Sequence, residues 1–501
     1  MKKLILFIAF WILCCDATPL QPKTPVFGSF EIFRSLHQEP PPPEIPQGVT
    51  ADAVGEYWVE QKLDHFDRKN NKTWFMRYLA NNELFREGGP IFIYVGGEWE
   101  ISPPWIQAGR FYDIAKEVGA FLVYTEHRYY GQSRPTEDTS VKNLKYLTVD
   151  QALADLAYFI DFLKANIPQL RKSKVILAGG SYAGTMAAWF RKEYPEKCAG
   201  AWASSAPVEA KADFFEYKEV VGQAFKQIGG EKCHLTLNEA FLGLETLVKK
   251  NDVSRIETDF RLCFPMDVTQ KFDVYNFFSG LSNIMAAAVQ NARPGTIKGV
   301  CDILTNPMHK DPIAALAYYV RSIYGSSCLS HSMDNDVAFY SESDWNAQAN
   351  QAYRQWIYQT CNEFGWYQTS GSKKQPFGSS FPLEVYTELC ERIYGKEFNK
   401  KSLLESVKDV NKNYKGVKAS TKNVYYTNGE LDPWMPMGIL KDRSKHAPAD
   451  VIPEAAHTMD LYSIALSDSP EMMMVKLRVR FLILEWLNGK SGEEEVEIFH
   501  Q

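Results

Sequence analysis

Three features are absent from this sequence, and each absence excludes a class of protein. Its 501 residues carry no excess of positive charge, since the formal net charge is -6, so no basic surface for nucleic acid is predicted. Beyond the first 17 residues, no apolar run approaches the roughly 20 residues that a membrane-spanning helix needs. No two cysteines have the CxxC spacing, which argues against a zinc ribbon or a thioredoxin-like redox site.

Residues 1–17 have the pattern of a secretory signal peptide. Two lysines precede an apolar run over residues 4–15, and Ala17 is a small residue suited to cleavage. The alternative, a buried N-terminal helix, fits the charged start and the small-residue end less well. We therefore predict a secreted or lysosomal protein without a transmembrane segment.

A proline-rich leader is predicted to follow the signal peptide over residues 18–55. Four consecutive prolines occupy positions 40–43, and few apolar residues recur periodically, so the leader is expected to be extended. Shortly after it, Asn71-Lys72-Thr73 is the one glycosylation sequon, and it predicts a sugar on Asn71 in a surface loop.

In the rest of the chain, strand patterns alternate with helix patterns, and this alternation is interrupted once. Over residues 56–207 and again over 417–490, short apolar runs alternate with helical patterns, which is typical of a parallel sheet covered by helices. Between them, residues 208–416 carry mainly helical patterns and six of the nine cysteines, so an inserted helical domain is predicted. The buried strands are expected at residues 91–95, 120–124, 175–177, 199–206, 424–427 and 449–452.

The most informative stretch is KVILAGGSYAGTMAAW, residues 174–189. An apolar strand leads through two glycines to Ser181 and then directly into good helix formers, which is the pattern of a nucleophile elbow. Ala183 stands where the second glycine of G-x-S-x-G is usual, and alanine is the smallest alternative. The competing interpretation is an ordinary strand, turn and helix with a surface serine.

An acid and a histidine follow later strands in the order that the elbow template requires. Asp432 and His457 each lie in a turn directly after a predicted strand, so the chain order is Ser, Asp, His. Ser181 is predicted to be the nucleophile and His457 the general base. Asp432 would then fix the imidazole tautomer and stabilise its charged form.

A glycine turn after the first buried strand predicts part of an oxyanion hole. The backbone N–H of Tyr182 should donate to the oxyanion, with a second donor from Gly97 or Glu98. His127 and Arg128 also follow a buried strand, where ligand sites gather, but a structural pair is the preferred interpretation.

Several segments together resemble one family of serine peptidases. GGSYAGTMAAWFRKEYP, EHRYYGQS, SSAPV and NGELDPW are similar to the prolyl carboxypeptidase family, which includes an X-Pro dipeptidyl peptidase, over residues 58–486. Ala183 and WIYQTCNEFGWYQT, residues 356–369, look most like its thymus-specific serine protease branch. The resemblance implies an α/β-hydrolase core with a helical insert that caps the active site, and a peptidase acting at prolyl bonds.

The resemblance also implies how the cysteines pair. Two of the nine lie in the predicted signal peptide, and Cys198 would remain unpaired. The implied disulfides are Cys233–Cys301, Cys263–Cys328 and Cys361–Cys390.

Three positions near the site bear on the substrate. Trp434 matches a residue that lines the proline pocket of relatives, and plain packing is an equal alternative. Carboxypeptidase members have a second histidine and an arginine where this sequence has Thr458 and Tyr462. Because the arginine suits a substrate carboxylate, its loss favours cleavage after an N-terminal X-Pro or within short prolyl peptides over removal of a C-terminal residue.

We therefore predict a serine exopeptidase that cleaves short peptides through an acyl-enzyme, with no cofactor and no metal. An esterase or lipase on the same fold is one alternative, because fold and triad alone do not choose the acyl group. A catalytically weak peptide-binding homologue is another, and a homodimer is left open.

Overall fold

The computed structural model describes residues 25–50 and 53–489. Residues 1–24, which contain the predicted signal peptide and the start of the leader, lie outside the described residues. The strands are β1 Val26–Phe27, β2 Val54–Lys62, β3 Thr73–Asn81, β4 Ile91–Val95, β5 Phe121–Thr125, β6 Val175–Gly180, β7 Gly200–Ser204, β8 Lys211–Asp213, β9 Cys328–Leu329, β10 Gly365–Tyr367, β11 Val424–Gly429 and β12 Ala449–Ile452.

Sixteen α-helices accompany these strands in the described part of the chain. They are α1 Ser29–Leu36, α2 Arg110–Val118, α3 Val141–Leu144, α4 Val149–Asn166, α5 Tyr182–Glu193, α6 Glu216–Gly229, α7 Glu231–Lys249, α8 Ser254–Asp259, α9 Lys271–Gln290, α10 Thr296–Leu304, α11 Pro312–Tyr324, α12 Met333–Ser341, α13 Tyr353–Gln359, α14 Leu383–Tyr394, α15 Lys400–Tyr414 and α16 Pro470–Asn488.

Eight strands form one central sheet in the order β12-β11-β7-β6-β4-β5-β3-β2. The six strands from β12 to β5 run parallel, and β3 and β2 continue antiparallel to the edge. All residues of β4, β5, β6, β7 and β11 are buried, as expected for parallel strands covered on both faces. The predicted α/β-hydrolase fold is confirmed.

The alternation of side chains along β4 divides the core into two layers. Ile91, Ile93 and Val95 pack with the apolar stripe of α4 and with α5, whereas Phe92 and Tyr94 pack with α2 and α16 on the other face. The buried apolar residues of α4 recur at helical spacing. Thr148 caps the helix, because its side chain accepts from the Gln151 N–H at 3.3 Å. The sheet is thereby fixed between two helical layers.

Between β7 and β11 the chain is mainly helical and carries three disulfides. They join α7 to α10, a loop to β9, and the turn after α13 to α14, through Cys233–Cys301, Cys263–Cys328 and Cys361–Cys390. Cys198, which precedes β7, is free and buried. Burial raises the pKa of its thiol to about 12.

Two sequence-based predictions differ from the structure. The leader was expected to be extended, but Ser29–Leu36 forms helix α1, because Ile32 and Leu36 recur one turn apart and both are buried. Residues 344–361 are one of the helical patterns of the predicted insert, and their sequence predicts a single helix. That region instead contains a 3-10 turn at Gln348–Asn350, then α13 and a π-helical turn at Thr360–Phe364.

Two surface features complete the fold. Asn71 is exposed in the turn between β2 and β3. Within residues 25–50 and 53–489, no helix has the length and apolar character needed to cross a membrane.

Candidate active site

Ser181 lies at a strained turn between β6 and α5. Its φ of 59° and ψ of -133° are unfavourable for a residue with a side chain, so the turn persists only because its surroundings hold it. A Cβ on Gly179 would lie 2.5 Å from the Ala183 backbone, and one on Gly184 would lie 2.9 Å from the Ser204 oxygen. The close approach of strand and helix requires glycine at those two positions, whereas the buried Ala183 fits without a second glycine.

His457 and Asp432 form a hydrogen-bonded pair beside this turn. The Nδ1 atom of His457 lies 2.9 Å from each carboxylate oxygen of Asp432, which is completely buried. The backbone N–H of Trp434 donates to the Asp432 carboxylate at 3.0 Å, and the backbone N–H of His457 donates to the backbone carbonyl of Gln290 at 3.2 Å. With Nδ1 engaged, Nε2 is the imidazole nitrogen left to exchange a proton, and His457 and Ser181 line the same cavity.

A second carboxylate, Asp460, lies near the histidine but has another role. It accepts hydrogen bonds from Ser204 at the end of β7 and Thr427 near the end of β11. Burial raises the pKa of Asp460. It ties two strand ends together, and the carboxylate hydrogen-bonded to His457 is that of Asp432.

The residues predicted for the oxyanion hole flank the nucleophile. Glu98 lines the cavity with Ser181, and Gly97 precedes it at the end of β4. A Cβ on Gly97 would lie 2.7 Å from the ring of Trp99, so the glycine makes room for that indole. The hydroxyl of Tyr182 accepts from Gln359 Nε2 at 3.0 Å, which holds the residue after the nucleophile in place.

His127 and Arg128 form structural contacts, as the preferred interpretation had it. Arg128 is completely buried and donates to both oxygens of Asp155 at 2.6 and 2.7 Å. His127 contacts the Tyr182 hydroxyl at 3.1 Å, and burial lowers the pKa of His127 to about 4. A histidine that is neutral at physiological pH suits this packing role.

Trp434 sits in an aromatic cluster next to the histidine. Its ring centroid lies 6.5 Å from that of His457, and its Nε1 donates to Gln290 at 2.8 Å. The other rings around Trp434 belong to His37, Phe214, Tyr217 and Trp366. The indole is therefore buried and packed on several sides next to the histidine.

Gln290, the last residue of α9, is a site residue that sequence reasoning missed. Its side-chain oxygen accepts from Trp434 and, at 2.7 Å, from the Tyr217 hydroxyl. Its amide donates to the Leu36 carbonyl at 2.7 Å, and its own carbonyl accepts from His457. The only signal in the sequence is a polar residue that ends an apolar helix, which is too weak to find it.

The leader crosses the cavity that contains Ser181. This space has a volume of about 40 Å³, and the leader residues that line it are Ser35, Leu36, Gln38, Glu39, Pro40 and Pro41. The partly buried Glu39 carboxylate accepts from the Ser102 N–H at 3.1 Å, from the Ser102 hydroxyl, and from the Tyr124 hydroxyl at 2.9 Å. Tyr462 donates to the Pro41 carbonyl at 2.7 Å. The segment is thus anchored on both sides of the site.

Tyr462 and Thr458 occupy the positions at which the sequence departs from carboxypeptidase members. Thr458 directs its N–H to the Ser205 hydroxyl at 2.9 Å. The guanidinium of Arg293, from the loop after α9, stacks over the ring of Tyr462 at 4.6 Å and donates to its hydroxyl at 2.8 Å. A cation therefore lies at the cavity although the local motif lacks one.

No metal site accompanies these groups in the described ranges, where no cluster of three or more histidine, cysteine, aspartate or glutamate side chains could hold an ion. A strained serine and a histidine–aspartate pair at the carboxyl edge of this sheet define the class of protein, a hydrolase of the α/β-hydrolase fold.

Comparison with known proteins identifies the family. The profile described as "Serine carboxypeptidase S28" matches residues 61–479, and the chain belongs to this family of serine peptidases. A serine protease of Caenorhabditis elegans is 32% identical over 475 residues, covering 91% of this chain and 92% of the relative. The thymus-specific serine protease of Mus musculus is 30% identical, with 96% of each chain covered. The lysosomal Pro-X carboxypeptidase of Bos taurus is 30% identical, covering 86% of this chain and 87% of its own.

Proposed function

We propose that this serine peptidase cleaves short peptides at prolyl bonds with Ser181, His457 and Asp432 as its catalytic triad. The observation that carries the proposal is the His457–Asp432 hydrogen bond beside the strained Ser181 in one cavity. The membership of the chain in a serine peptidase family supports the choice of a peptide rather than an ester.

In this mechanism Ser181 attacks the carbonyl carbon of the scissile bond while His457 Nε2 takes the hydroxyl proton. His457 then gives that proton to the leaving amine, and an acyl-enzyme remains on Ser181. Water attacks the ester with the same histidine as base, which releases the acid and restores the serine. Asp432 keeps the proton on Nδ1 and stabilises the imidazolium in both halves of the cycle.

The backbone N–H groups of Tyr182 and of Gly97 or Glu98 are proposed to bind the oxyanion. Tyr182 begins a helix, and Gly97 and Glu98 follow the end of a strand, so their N–H groups would offer fixed dipoles to the developing negative charge. Donors fixed before the reaction cost no reorganisation when the tetrahedral intermediate forms.

The preference for proline is proposed from the aromatic cluster around Trp434. A pyrrolidine ring is compact and apolar, and flat indole walls give it contact area with little loss of conformational entropy. One of the relatives is named a Pro-X carboxypeptidase, which agrees with this choice. Trp434 is held by Gln290, so the wall is preorganised.

The insert of residues 208–416 is proposed to act as a cap on the hydrolase domain of residues 56–207 and 417–490. Helix α9 supports this role, because its last residue, Gln290, contacts His457 and Trp434. We further propose a secreted or lysosomal location with glycosylation at Asn71, on the signal-peptide pattern, the three disulfides and the exposed sequon.

The proposal is tested by peptide-library digestion with the purified protein, read by mass spectrometry, beside labelling with a fluorophosphonate. We expect cleavage next to proline and a label on Ser181. Labelling with cleavage at other residues would reject the prolyl preference alone. A folded protein with no labelling would instead support the peptide-binding alternative.

A further inference from the structure

Glu98 carries a buried carboxylate that its own fold leaves partly unpaired. Its side chain is 3% exposed, and its Oε2 atom has no hydrogen-bond partner among the described residues. It lines the cavity that also contains Ser181 and His457. Because an unpaired charge in a low-dielectric site is costly, such a group in an enzyme cleft indicates a cationic ligand.

The group that faces Glu98 in this structure is an imidazole from the leader. Nδ1 of His37 lies 3.7 Å from Glu98 Oε1, beyond hydrogen-bond distance. The same ring lies 5.5 Å from the ring of Trp356 and 6.3 Å, edge-on, from that of Trp434. A ring that can carry positive charge therefore occupies a space bounded by a carboxylate and two indoles.

Other cations near this part of the sheet have different partners. The guanidinium of Arg77 is engaged by three carboxylates, Glu56, Glu100 and Glu126, at 3.0 to 3.4 Å. Among the ion pairs that the structure describes, Glu98 takes part in one, and its partner is His37. The buried carboxylate of Glu98 is therefore suited to bind a compact cation at the position that His37 occupies in this structure.

We propose that Glu98 binds the free amino terminus of the substrate peptide, with Trp356 and Trp434 as the walls of this subsite. The inference rests on the proposed prolyl peptidase function and narrows it to substrates whose amino end lies close to the scissile bond. His37 occupies the subsite in the absence of substrate.

The chemistry of an α-ammonium group matches the site. It offers three N–H donors and a positive charge, whereas Glu98 offers acceptors and a negative charge. Flat aromatic walls add a favourable cation–π contribution once water is excluded. Acetylation of the amino terminus removes the charge and two of the donors, so it should weaken binding sharply.

The test compares alanyl-proline with its N-acetylated form as protectants of Ser181 against a fluorophosphonate. Protection measures binding at the site and does not require peptide hydrolysis. For the wild-type protein we expect the free dipeptide to protect at tenfold or more lower concentration than the acetylated one. In Glu98→Gln the difference should fall to about twofold or less. Glu100→Gln is the matched control, because Glu100 is exposed nearby, and it should keep the wild-type ratio.

His37→Ala approaches the same subsite from the other side. Removal of the imidazole should improve protection by the free dipeptide at least threefold. The improvement should be absent when Glu98→Gln is also present, because the site would then lack its charge. This second variant remains informative if Glu98→Gln unfolds at a lower temperature than the wild type.

The proposal fails if free and acetylated dipeptides protect equally, or not at all, in the wild type and in His37→Ala. It also fails if amidation of the carboxyl end raises the protecting concentration tenfold and Arg293→Gln abolishes that increase, since the cavity would then bind the carboxyl terminus. Glu98 would instead bind a basic side chain of the substrate if lysyl or arginyl peptides were preferred whether or not they were acetylated. That result would overturn the assignment. Failure of the proposed catalytic triad is distinct, because Ser181 would then resist the fluorophosphonate without any peptide, and failure of the prolyl preference is distinct because the peptide library would show cleavage at other residues.

Discussion

The leader should limit the access of peptides to Ser181, and weakening its anchor should increase that access. With residues 35–41 in place the cavity measures about 40 Å³. Sites that bury a small ligand typically measure about 300–1,000 Å³, so a dipeptide unit requires the leader to move. The perturbation chosen is Glu39→Ala, which removes the carboxylate that holds the leader against Ser102 and Tyr124.

The magnitude follows from three hydrogen bonds and one desolvation cost. Each of these hydrogen bonds, accepted by a carboxyl group that stays protonated below about pH 7 when docked, contributes about 0.5–1.5 kcal/mol. Burial opposes this gain, since it raises the pKa of Glu39 to about 7 and so disfavours the charged form. The net loss of leader docking is expected to be on the order of 2 kcal/mol, which corresponds to about a 30-fold shift toward the released state.

The assay is the second-order rate at which a peptidyl phosphonate ending in proline labels Ser181, because this reagent must fill the cleft. Glu39→Ala should react faster than the wild type by a factor approaching that shift. Glu44→Ala is the control, since Glu44 lies exposed in the same leader beyond the cavity. An unchanged rate in a folded Glu39→Ala protein would refute the reasoning, because the leader would then not obstruct the site.

Three further predictions concern separate properties of the protein. Ser181→Ala should lower kcat by a factor on the order of 10⁶ while its thermal unfolding stays near that of the wild type. The rate advantage of Glu39→Ala over the wild type should be largest below about pH 4.5 and should shrink as pH rises to about 7. Docking of the leader raises the pKa of Glu39 from 4.5 to about 7, so docking binds a proton and becomes weaker as pH rises. A ratio of the two labelling rates that does not change with pH would contradict this. The buried Cys198 should resist iodoacetamide in the native protein, and mass mapping after unfolding without reductant should find it as the one free thiol within residues 25–50 and 53–489.

Much of the fold could be predicted because the signals are local. The apolar run before Ser181, the glycines around it and the helix formers after it describe one strand–turn–helix unit in consecutive residues. Asp432 and His457 are both far from Ser181 in sequence, yet each follows a strand closely. Since the carboxyl ends of parallel strands meet at one edge of the sheet, their placement could be inferred without a contact map.

The parts that could not be predicted depend on long-range packing. Gln290 acquires its role only because the end of α9 reaches the turns that carry His457 and Trp434. The four consecutive prolines lie outside any helix or strand, but composition does not show that this segment lines the cavity of the nucleophile. That path is set by distant partners such as Ser102 and Tyr462, which no periodicity relates to the leader.

Recognition of one end of the peptide shows why the role of a residue in a relative cannot be inferred from the aligned position alone. The loss of an arginine at Tyr462 suggests that no cation can meet a substrate carboxylate, yet the structure supplies Arg293 from another part of the chain. The two charges at the cavity are nevertheless unequal. Arg293 is exposed, where water and salt screen it, whereas Glu98 is buried and its field is screened far less. Acetylating the amino end should therefore cost more binding than amidating the carboxyl end, and the reverse order would show that exposure is a poor guide to recognition here.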